Sequence, residues 1–310
     1  MSRGLSYLMT TNQTKSEHIT VLKEVAVEAL KLKPGAVVVD ATLGSGGHTK
    51  CILKALKGTG LCLSLDVDKT AVTEFIDKYG VVKNHLVVCS NFTALDIILK
   101  DKKIEKPDAI LADLGWRSEQ FEFGHKGFSF RLDEPLVMTY GQPEDYPFTA
   151  FEIVNDWEES NIADILYYYG DERHSRRIAA AICDARKKGA IKTSKKLADI
   201  ISQARPKVGR YTRLHPATKS FQALRIAVND ELSGLRTLLE ISLKHLKPGG
   251  RLVIITFHSL EDRLVKNSFK DYAKKNLGLV VLKKPLTPDQ SEIAANPRAR
   301  SAKLRIFEKT

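Results

Sequence analysis

The sequence predicts an α/β fold in which a doubly wound, seven-stranded, mostly parallel sheet carries an inserted helical domain. Two observations support this prediction. Short apolar runs alternate with longer helical patterns, as in chains that form a parallel sheet flanked by helices. One long interval of the chain has only the helical pattern. With 310 residues, of which 43% are hydrophobic, the chain is long enough to bury a full core.

Continuous apolar runs mark the predicted strands. Strands that are covered by helices on both faces are apolar throughout, without alternation between apolar and polar residues. Five runs of this kind are Val37–Val39, Leu61–Leu65, Leu86–Val88, Ala109–Ala112 and Leu252–Ile255. Two more, Leu279–Leu282 and Lys303–Phe307, complete the seven strands.

The interval between the fourth and fifth strands predicts the helical insertion. Residues 122–218 show helical spacing and no convincing apolar strand, so residues 1–121 and 219–310 would form one discontinuous domain. The insertion is rich in cations, which include Arg173, Arg176, Arg177, Arg186, Lys187 and Lys188. These charges favour RNA contact, although solvated helix faces explain them equally well in isolation.

The overall charge restricts the partners. There are 49 Lys and Arg residues against 37 Asp and Glu residues, a formal net charge of +12, which attracts polyanions such as nucleic acid. A basic surface without such a partner is the alternative. No apolar run approaches the roughly 20 residues that a membrane-spanning helix requires, so we expect a cytoplasmic protein without membrane contact.

Four widely spaced cysteines lack both metal-ligand spacing and the density of a disulfide-rich secreted protein. They are Cys51, Cys62, Cys89 and Cys183. We expect reduced core residues, with no metal site.

A glycine-rich segment between Asp40 and His48 follows the first strand and precedes a helix. Its pattern is D-x-x-x-G-x-G-G, with Gly44, Gly46 and Gly47, and differs from the G-x-G-x-x-G of dinucleotide-binding folds. Glycines let the main chain approach a ligand, and the helix offers N–H groups to a carboxylate. An acid here favours the cationic S-adenosylmethionine and would repel a pyrophosphate. Alternatively, Asp40 caps the turn.

Candidate nucleoside-binding residues follow the second and third strands. Asp66 lies where a carboxylate accepts hydrogen bonds from ribose hydroxyls, with Asp68 as the less favoured alternative. Phe92 follows the third strand and is expected either to cover an adenine or to pack in the core.

The candidate reacting residues end the fourth and fifth strands. Asp113 could accept an N–H bond from an exocyclic base amine and so expose its delocalised lone pair; the alternative is a cofactor ligand or a turn former. His258 could take up a released proton or shape a pocket, and a helix cap at Ser259 explains it nearly as well.

Seven segments distributed along the chain together resemble one known family. They are His18–Leu22, Gly44–His48, Gly127–Arg131, Lys219–Arg225, Pro248–Leu252, Phe257–Arg263 and Asn296–Ser301. In this order they resemble the RsmH (MraW) family, which methylates the N4 atom of a decoding-region cytosine in small-subunit ribosomal RNA. The resemblance covers nearly the whole chain.

The resemblance implies a class I S-adenosylmethionine-dependent methyltransferase fold and a specific set of cofactor contacts. Gly46, Gly47 and His48 would contact the methionine part, Asp66 the ribose and Phe92 the adenine. Asp113 and Gln120 would complete the pocket. The implied partner is small-subunit ribosomal RNA or the ribosomal subunit. A homodimer is also possible.

The chain departs from the family pattern in two segments. Where the family usually has Val-Ser-Ser, this chain has Trp116, Arg117 and Ser118. Where it usually has Gly-Pro-Leu-Asp-Met-Arg-Met, this chain has Glu134–Tyr140, which lacks the acid at Val137 and the base at Thr139. Trp116 could stack on an extruded base, and Arg117 could hold a phosphate.

Three functional hypotheses follow from these observations. The first is cytosine-N4 methylation of small-subunit ribosomal RNA. A second hypothesis, motivated by the departures, is a non-catalytic or retargeted ribosome-assembly factor that binds RNA and retains the fold. The third is an NAD-dependent oxidoreductase, which both the glycine spacing and Asp40 disfavour.

Overall fold

The computed structural model describes residues 19–115, 125–205 and 215–310. Its strands are Val37–Asp40 (β1), Leu61–Asp66 (β2), His85–Cys89 (β3), Ala109–Asp113 (β4), Arg251–Thr256 (β5), Gly278–Val280 (β6) and Lys303–Lys309 (β7). In these ranges they form one seven-stranded sheet in the order β3-β2-β1-β4-β5-β7-β6. Strands β1 to β5 pair in parallel, and β7 runs antiparallel to β5 and β6. The predicted doubly wound, mostly parallel sheet is confirmed.

Helices precede, connect and follow the strands. Those within the described ranges are Lys23–Ala29 (α1), Gly47–Leu56 (α2), Lys69–Tyr79 (α3), Leu95–Asp101 (α4), Ala150–Asp156 (α5), Glu159–Gly170 (α6), Ser175–Arg186 (α7), Ser194–Ala204 (α8), Thr218–Val228 (α9), Glu231–His245 (α10), Ser259–Lys274 (α11) and Gln290–Ala295 (α12). None of them combines the length and the apolar character that crossing a membrane requires.

The central strands bury side chains on both faces of the sheet because neighbouring residues of a strand point to opposite sides. Val38 packs with helices α1 and α2 on one face, whereas Val39 packs with α4, α10 and α11 on the other. Both valines are fully buried. The apolar runs are therefore strands between two helical layers, as their composition predicted.

Helices α5 to α9 pack around a hydrophobic cluster that is distinct from the two cores beside the sheet. Helix α9 contributes buried residues such as Phe221 and Leu224 to this cluster, although it lies on the sheet side of the expected boundary at residue 218. The division into two domains, with the helical one inserted, stays a prediction.

The cysteines are free, but only two of them fit the expected core position. Cys62 and Cys183 are buried, Cys51 is half-buried and Cys89 is exposed. Cys89 is the last residue of β3, which is the edge strand of the sheet. The expectation of a core residue was therefore wrong for Cys89.

Candidate active site

The sheet reverses its strand order between β1 and β4, and a cavity of about 1010 Å³ opens at the carboxyl ends of the strands on both sides of this point. In open α/β sheets this is where ligands bind, because connections leave the two neighbouring strands in opposite directions. The cavity lining includes residues that follow β1, β2, β3, β4 and β5. It also includes residues of α9 and α10.

The glycine-rich segment between β1 and α2 forms one wall of the cavity. Gly44 has a φ of 52°, in the left-handed region that favours glycine, and its N–H donates to Asp66 Oδ2 at 2.7 Å. Both residues line the cavity. The segment is thus fixed to the end of β2, where the sequence predicted a ribose-binding carboxylate.

The two glycines at the start of α2 serve close packing. A Cβ atom on Gly46, whose φ is 79°, would lie 2.2 Å from the ring of Phe75. One on Gly47 would lie 1.8 Å from Thr20 Oγ1. Gly47 lines the cavity, whereas Gly46 is not part of its lining. The expected contact between Gly46 and the cofactor therefore has no support in the cavity lining. Instead, the missing side chain of Gly46 lets the Phe75 ring pack against the glycine-rich segment.

Asp40 does not face the cavity, so the reason for which the sequence favoured a cationic ligand was wrong. The residue is fully buried, accepts the hydroxyl of Thr49 at 2.6 Å and accepts the N–H of Thr42 at 3.2 Å. Burial raises the pKa of Asp40 to about 6. The turn-capping alternative describes its position. Negative charge at the cavity comes instead from residues that include Asp66 and Asp113.

Asp66 and Phe92, the favoured nucleoside-binding candidates, both line the cavity. Besides Gly44, the carboxylate of Asp66 accepts the N–H of Asp68 at 2.9 Å. Asp68 is not in the lining and instead caps α3 by accepting the N–H of Thr70. Phe92 lines the cavity and also borders the core under α10, so both roles expected of its ring are compatible with its position.

His48 and Asp113 form a pair beside the glycine-rich segment. The Nε2 atom of His48 lies 3.3 Å from Asp113 Oδ2, while Asp113 Oδ1 accepts the N–H of Gly115 at 3.2 Å. Burial by itself lowers the pKa of His48, but the carboxylates around it, Asp113 foremost with Asp40 and Glu24, together leave the pKa raised. Both residues line the cavity, so the Asp113 carboxylate meets a ligand in a fixed orientation.

His258 lies between two carboxylates. Its Nε2 atom is 3.1 Å from Glu261 Oε1 and 3.8 Å from Glu231 Oε2, and neither contact has hydrogen-bond geometry. Burial lowers the pKa of His258, but the two glutamates outweigh it and raise the pKa to about 9. A protonated histidine is a poor proton acceptor, so the raised pKa disfavours that expected role, which stays a prediction. The cap at the start of α11 is present, since Glu261 accepts the N–H groups of Phe257 and His258.

Glu231 also belongs to a buried network with residues of the helical cluster. Its two oxygens accept Nε and a terminal nitrogen of Arg225 at 2.6 and 2.8 Å, and Oε1 accepts the hydroxyl of Tyr140 at 2.8 Å. Burial alone would raise the pKa of Glu231, but Arg225 and His258 lower it to about 2. Glu231, His258 and Glu261 have ligand atoms close enough for a metal ion, but both oxygens of Glu231 already accept hydrogen bonds from Arg225. The cluster is therefore an ion-pair network.

Sequence reasoning missed Tyr140, Arg225 and Glu231, which all line the cavity. Tyr140 and Arg225 lie in segments that resemble the family or depart from it. No sequence spacing indicated that Glu231 would contact both of them. Gln120, Trp116 and Arg117 lie outside the described residues.

The other departure from the family pattern lies beside the cavity residues. Thr139 is buried and donates its hydroxyl to the carbonyl of Gly141 at 3.0 Å, and Val137 is half-buried. Val137 and Thr139 are therefore accommodated in this chain without the acid and the base that the family usually has at these positions.

The basic residues expected to contact RNA have different surroundings. Arg173, Arg176 and Arg177 are exposed near the start of α7. Arg186 is half-buried and donates to the carbonyls of Val154 and Trp157, which makes it a structural contact within the helical cluster.

The fold and the cavity define a protein of the doubly wound α/β class with a ligand site at the switch point of its sheet. The sequence matches the MraW methylase family over residues 15–310. The chain belongs to this family, as the resemblance predicted. Membership favours the methyltransferase hypothesis over the NAD-dependent oxidoreductase, and it adds no support for the non-catalytic factor.

Individual relatives match over nearly their full length. A ribosomal RNA small subunit methyltransferase H from Brevibacillus brevis is 39% identical, with 94% of this chain and 98% of the relative covered. The protein of the same name from Limosilactobacillus fermentum is 43% identical, with the same coverage.

Solved structures show a more distant similarity. An rRNA methylase from Streptococcus thermophilus has 14% identity and a TM-score of 0.38, over 92% of this chain and 91% of that one. A SAM-dependent O-methyltransferase from Thermotoga maritima has 8% identity and a TM-score of 0.41, over 93% and 64%.

Proposed function

We propose that the protein transfers a methyl group from S-adenosylmethionine to the N4 atom of a cytosine in the decoding region of small-subunit ribosomal RNA. The observation that carries this proposal is the Asp113 carboxylate, which lines the switch-point cavity and is oriented by His48 and Gly115. The names of the full-length relatives support the substrate class.

The residues around the cavity fit S-adenosylmethionine, which supplies an electrophilic methyl group when bound. Asp66 offers a carboxylate to the ribose hydroxyls, and Phe92 offers a flat apolar surface to the adenine. Gly44, Gly47 and His48 also line the cavity and would contact the methionine part. Gln120 remains a candidate from the family resemblance alone.

Asp113 would act on the acceptor amine. The lone pair of the cytosine amine is delocalised into the ring, and a carboxylate that accepts one N–H bond favours its localisation toward the methyl group. Because His48 and Gly115 hold the two oxygens, little reorientation is needed when the base arrives. Much of the remaining acceleration would come from alignment of the amine with the methyl group.

The RNA itself would contact the basic helical region, where Arg173, Arg176 and Arg177 are exposed. We propose the helical region as an inserted RNA-binding domain and the cytoplasm as the location of the protein. Cell fractionation would test the location. Whether a homodimer forms would be decided by the mass measured in solution by light scattering.

Tritiated S-adenosylmethionine tests the proposed activity. Wild-type protein is incubated with bare small-subunit RNA and with small subunits from a strain that lacks the modification. We expect tritium in the RNA of at least one of the two substrates. Absence of transfer from both, while a control methyltransferase labels the same preparations, would contradict the proposal.

Asp113→Ala tests the role of the carboxylate in the same assay. We expect at least a 100-fold loss of methyl transfer, the lower range for a group that assists proton handling, with subunit binding intact. Asp271→Ala is the matched control, since Asp271 is exposed on α11 and does not line the cavity. Equal activity of both variants would show that Asp113 has no chemical role.

A further inference from the structure

Tyr140 gives the cavity an aromatic wall in the segment where this chain departs from its family. The family usually has methionine at this position, and Tyr140 lines the same cavity as Asp113. A methionine side chain adapts its shape, whereas a tyrosine ring is flat and has only two side-chain torsions. The substitution therefore changes what this wall offers to a planar ligand.

Four neighbours hold the Tyr140 ring and backbone in one position. Asn229 accepts its N–H at 2.8 Å, and Lys126 Nζ donates to its carbonyl at 3.3 Å. The hydroxyl donates to Glu231 at 2.8 Å. Phe128 stacks on the ring with a centroid distance of 5.8 Å and an interplanar angle of 17°. The ring is thus fixed before any ligand binds, which lowers the entropic cost of a contact with it.

A short series of contacts connects this wall with the reacting carboxylate. Asp113 pairs with Ile255 across β4 and β5, two residues before Phe257. A Cβ atom on Gly115 would lie 2.7 Å from the Phe257 ring, so the chain after β4 packs on the chain after β5. His258 follows and contacts Glu231, which holds the Tyr140 hydroxyl. Tyr140 and Asp113 thus line one cavity and are linked by successive contacts along its wall.

We propose that the ring of Tyr140 is a stacking platform for the target base, which it orients so that the exocyclic amine meets Asp113. This inference rests on the proposed function. A base that reacts in such a cavity must leave its stacked neighbours, and an aromatic face replaces part of the lost stacking. Stacking tolerates every base, so discrimination for cytosine is left to contacts at the edge of the base.

Variants at position 140 separate the ring from its hydroxyl. Tyr140→Ala removes the ring, Tyr140→Met restores the usual family residue, and Tyr140→Phe removes only the hydroxyl. We expect Tyr140→Ala to raise the KM for RNA by about 5- to 150-fold, the effect of losing one base–aromatic stack. Tyr140→Met should raise the KM as well. Tyr140→Phe keeps the ring but loses the bond of the hydroxyl to Glu231, so it should raise the KM less than Tyr140→Met does. Cofactor affinity, measured by calorimetry, should change little in all three.

A fluorescent base supplies a readout that a purely structural role would not move. RNA with pyrrolocytosine at the target position is titrated with wild-type protein and each variant in the presence of S-adenosylhomocysteine. Stacking quenches this base, so we expect quenching by wild type and Tyr140→Phe and a clear loss of quenching for Tyr140→Met. The control for Tyr140→Phe is Tyr272→Phe, which also removes one hydroxyl, but from a residue that does not line the cavity.

Two results would overturn the platform. One is a Tyr140→Met variant that quenches the base as strongly as wild type and has the same KM. The other is wild-type protein that binds the RNA without quenching the base. The methionine variant keeps an apolar side chain of similar reach, so it decides the question even where Tyr140→Ala fails to fold. Should wild type quench the base but transfer no methyl group, the proposed function would fail while the platform stood.

Discussion

Carboxylates that look alike in the sequence have different roles at the scale of single residues. Asp40, Asp66 and Asp113 each end a parallel strand, and that pattern correctly indicated the edge of the sheet where they lie. Only Asp66 and Asp113 line the cavity, whereas Asp40 is turned into the protein by Thr49. Which way a strand-end side chain turns depends on a neighbour in the following helix, and the strand pattern carries no information about it.

Asp66→Ala is expected to weaken cofactor binding by about 10- to 150-fold, since a charged acceptor of hydrogen bonds contributes about 1.5–3 kcal/mol. The carboxylate also holds the N–H of Gly44, so its loss loosens the wall of the site. Calorimetric titration with S-adenosylmethionine measures the effect.

Asp68→Ala is the matched control for Asp66→Ala, because Asp68 lies two residues further and caps α3 outside the cavity lining. We expect it to lower the free energy of unfolding by about 0.5–2 kcal/mol, as for other helix caps, with cofactor affinity retained. Equal loss of affinity in both variants would argue against ribose contact by Asp66.

At the scale of elements, the buried ion-pair network joins α9, α10 and the start of α11. Arg225 comes from α9, Glu231 from α10, and His258 and Glu261 from the junction of β5 and α11. The helices themselves were predictable from their apolar spacing. Their meeting was not, because it depends on long-range packing between segments that no local periodicity connects.

His258→Gln is expected to remove a pH-dependent part of the stability. The pKa of His258 is about 9 in the folded protein, above its ordinary value of 6.5, because Glu231 and Glu261 face it. Its stabilising contribution is therefore fully present below pH 6.5 and is lost as the pH rises through about 9.

Urea unfolding of wild type and His258→Gln at several pH values measures this contribution. We expect a difference in unfolding free energy of about 1–3 kcal/mol at pH 6, the cost of removing a charged buried partner, and a smaller one at pH 9.5. A difference that does not depend on pH would show that His258 is not held as a cation. Arg225 and the hydroxyl of Tyr140 also adjoin Glu231, and both remain in the variant.

At the scale of the whole molecule, the sheet was the most predictable feature and the helical region the least. Buried parallel strands have a distinctive composition, and all seven predicted runs lie in strands or overlap them. The boundary of the helical region lacks such a signal: Phe221 and Leu224 have the spacing of any amphipathic helix, yet they pack in the helical cluster. The net charge likewise indicates a polyanion without showing where it binds.

Two charge variants test the basic helical region as the RNA surface. The triple variant Arg173→Gln, Arg176→Gln and Arg177→Gln should weaken RNA binding and reduce the magnitude of its salt slope by about 2 to 3, since these exposed cations would each release counterions. The matched control replaces Lys266, Lys270 and Lys274, which are exposed on α11, by glutamine and removes the same charge. Equal weakening in both would indicate a nonspecific effect of net charge.

Identification of the methylated atom tests the central claim most directly. Small subunits that lack the modification are incubated with wild-type protein and S-adenosylmethionine carrying a trideuterated methyl group, and the RNA is digested to nucleosides for mass spectrometry. We expect the label in N4-methylcytidine, from a decoding-region cytosine, and its loss with Asp113→Ala. Label in 5-methylcytidine or another nucleoside, or no label beside an active control enzyme, would contradict the assignment.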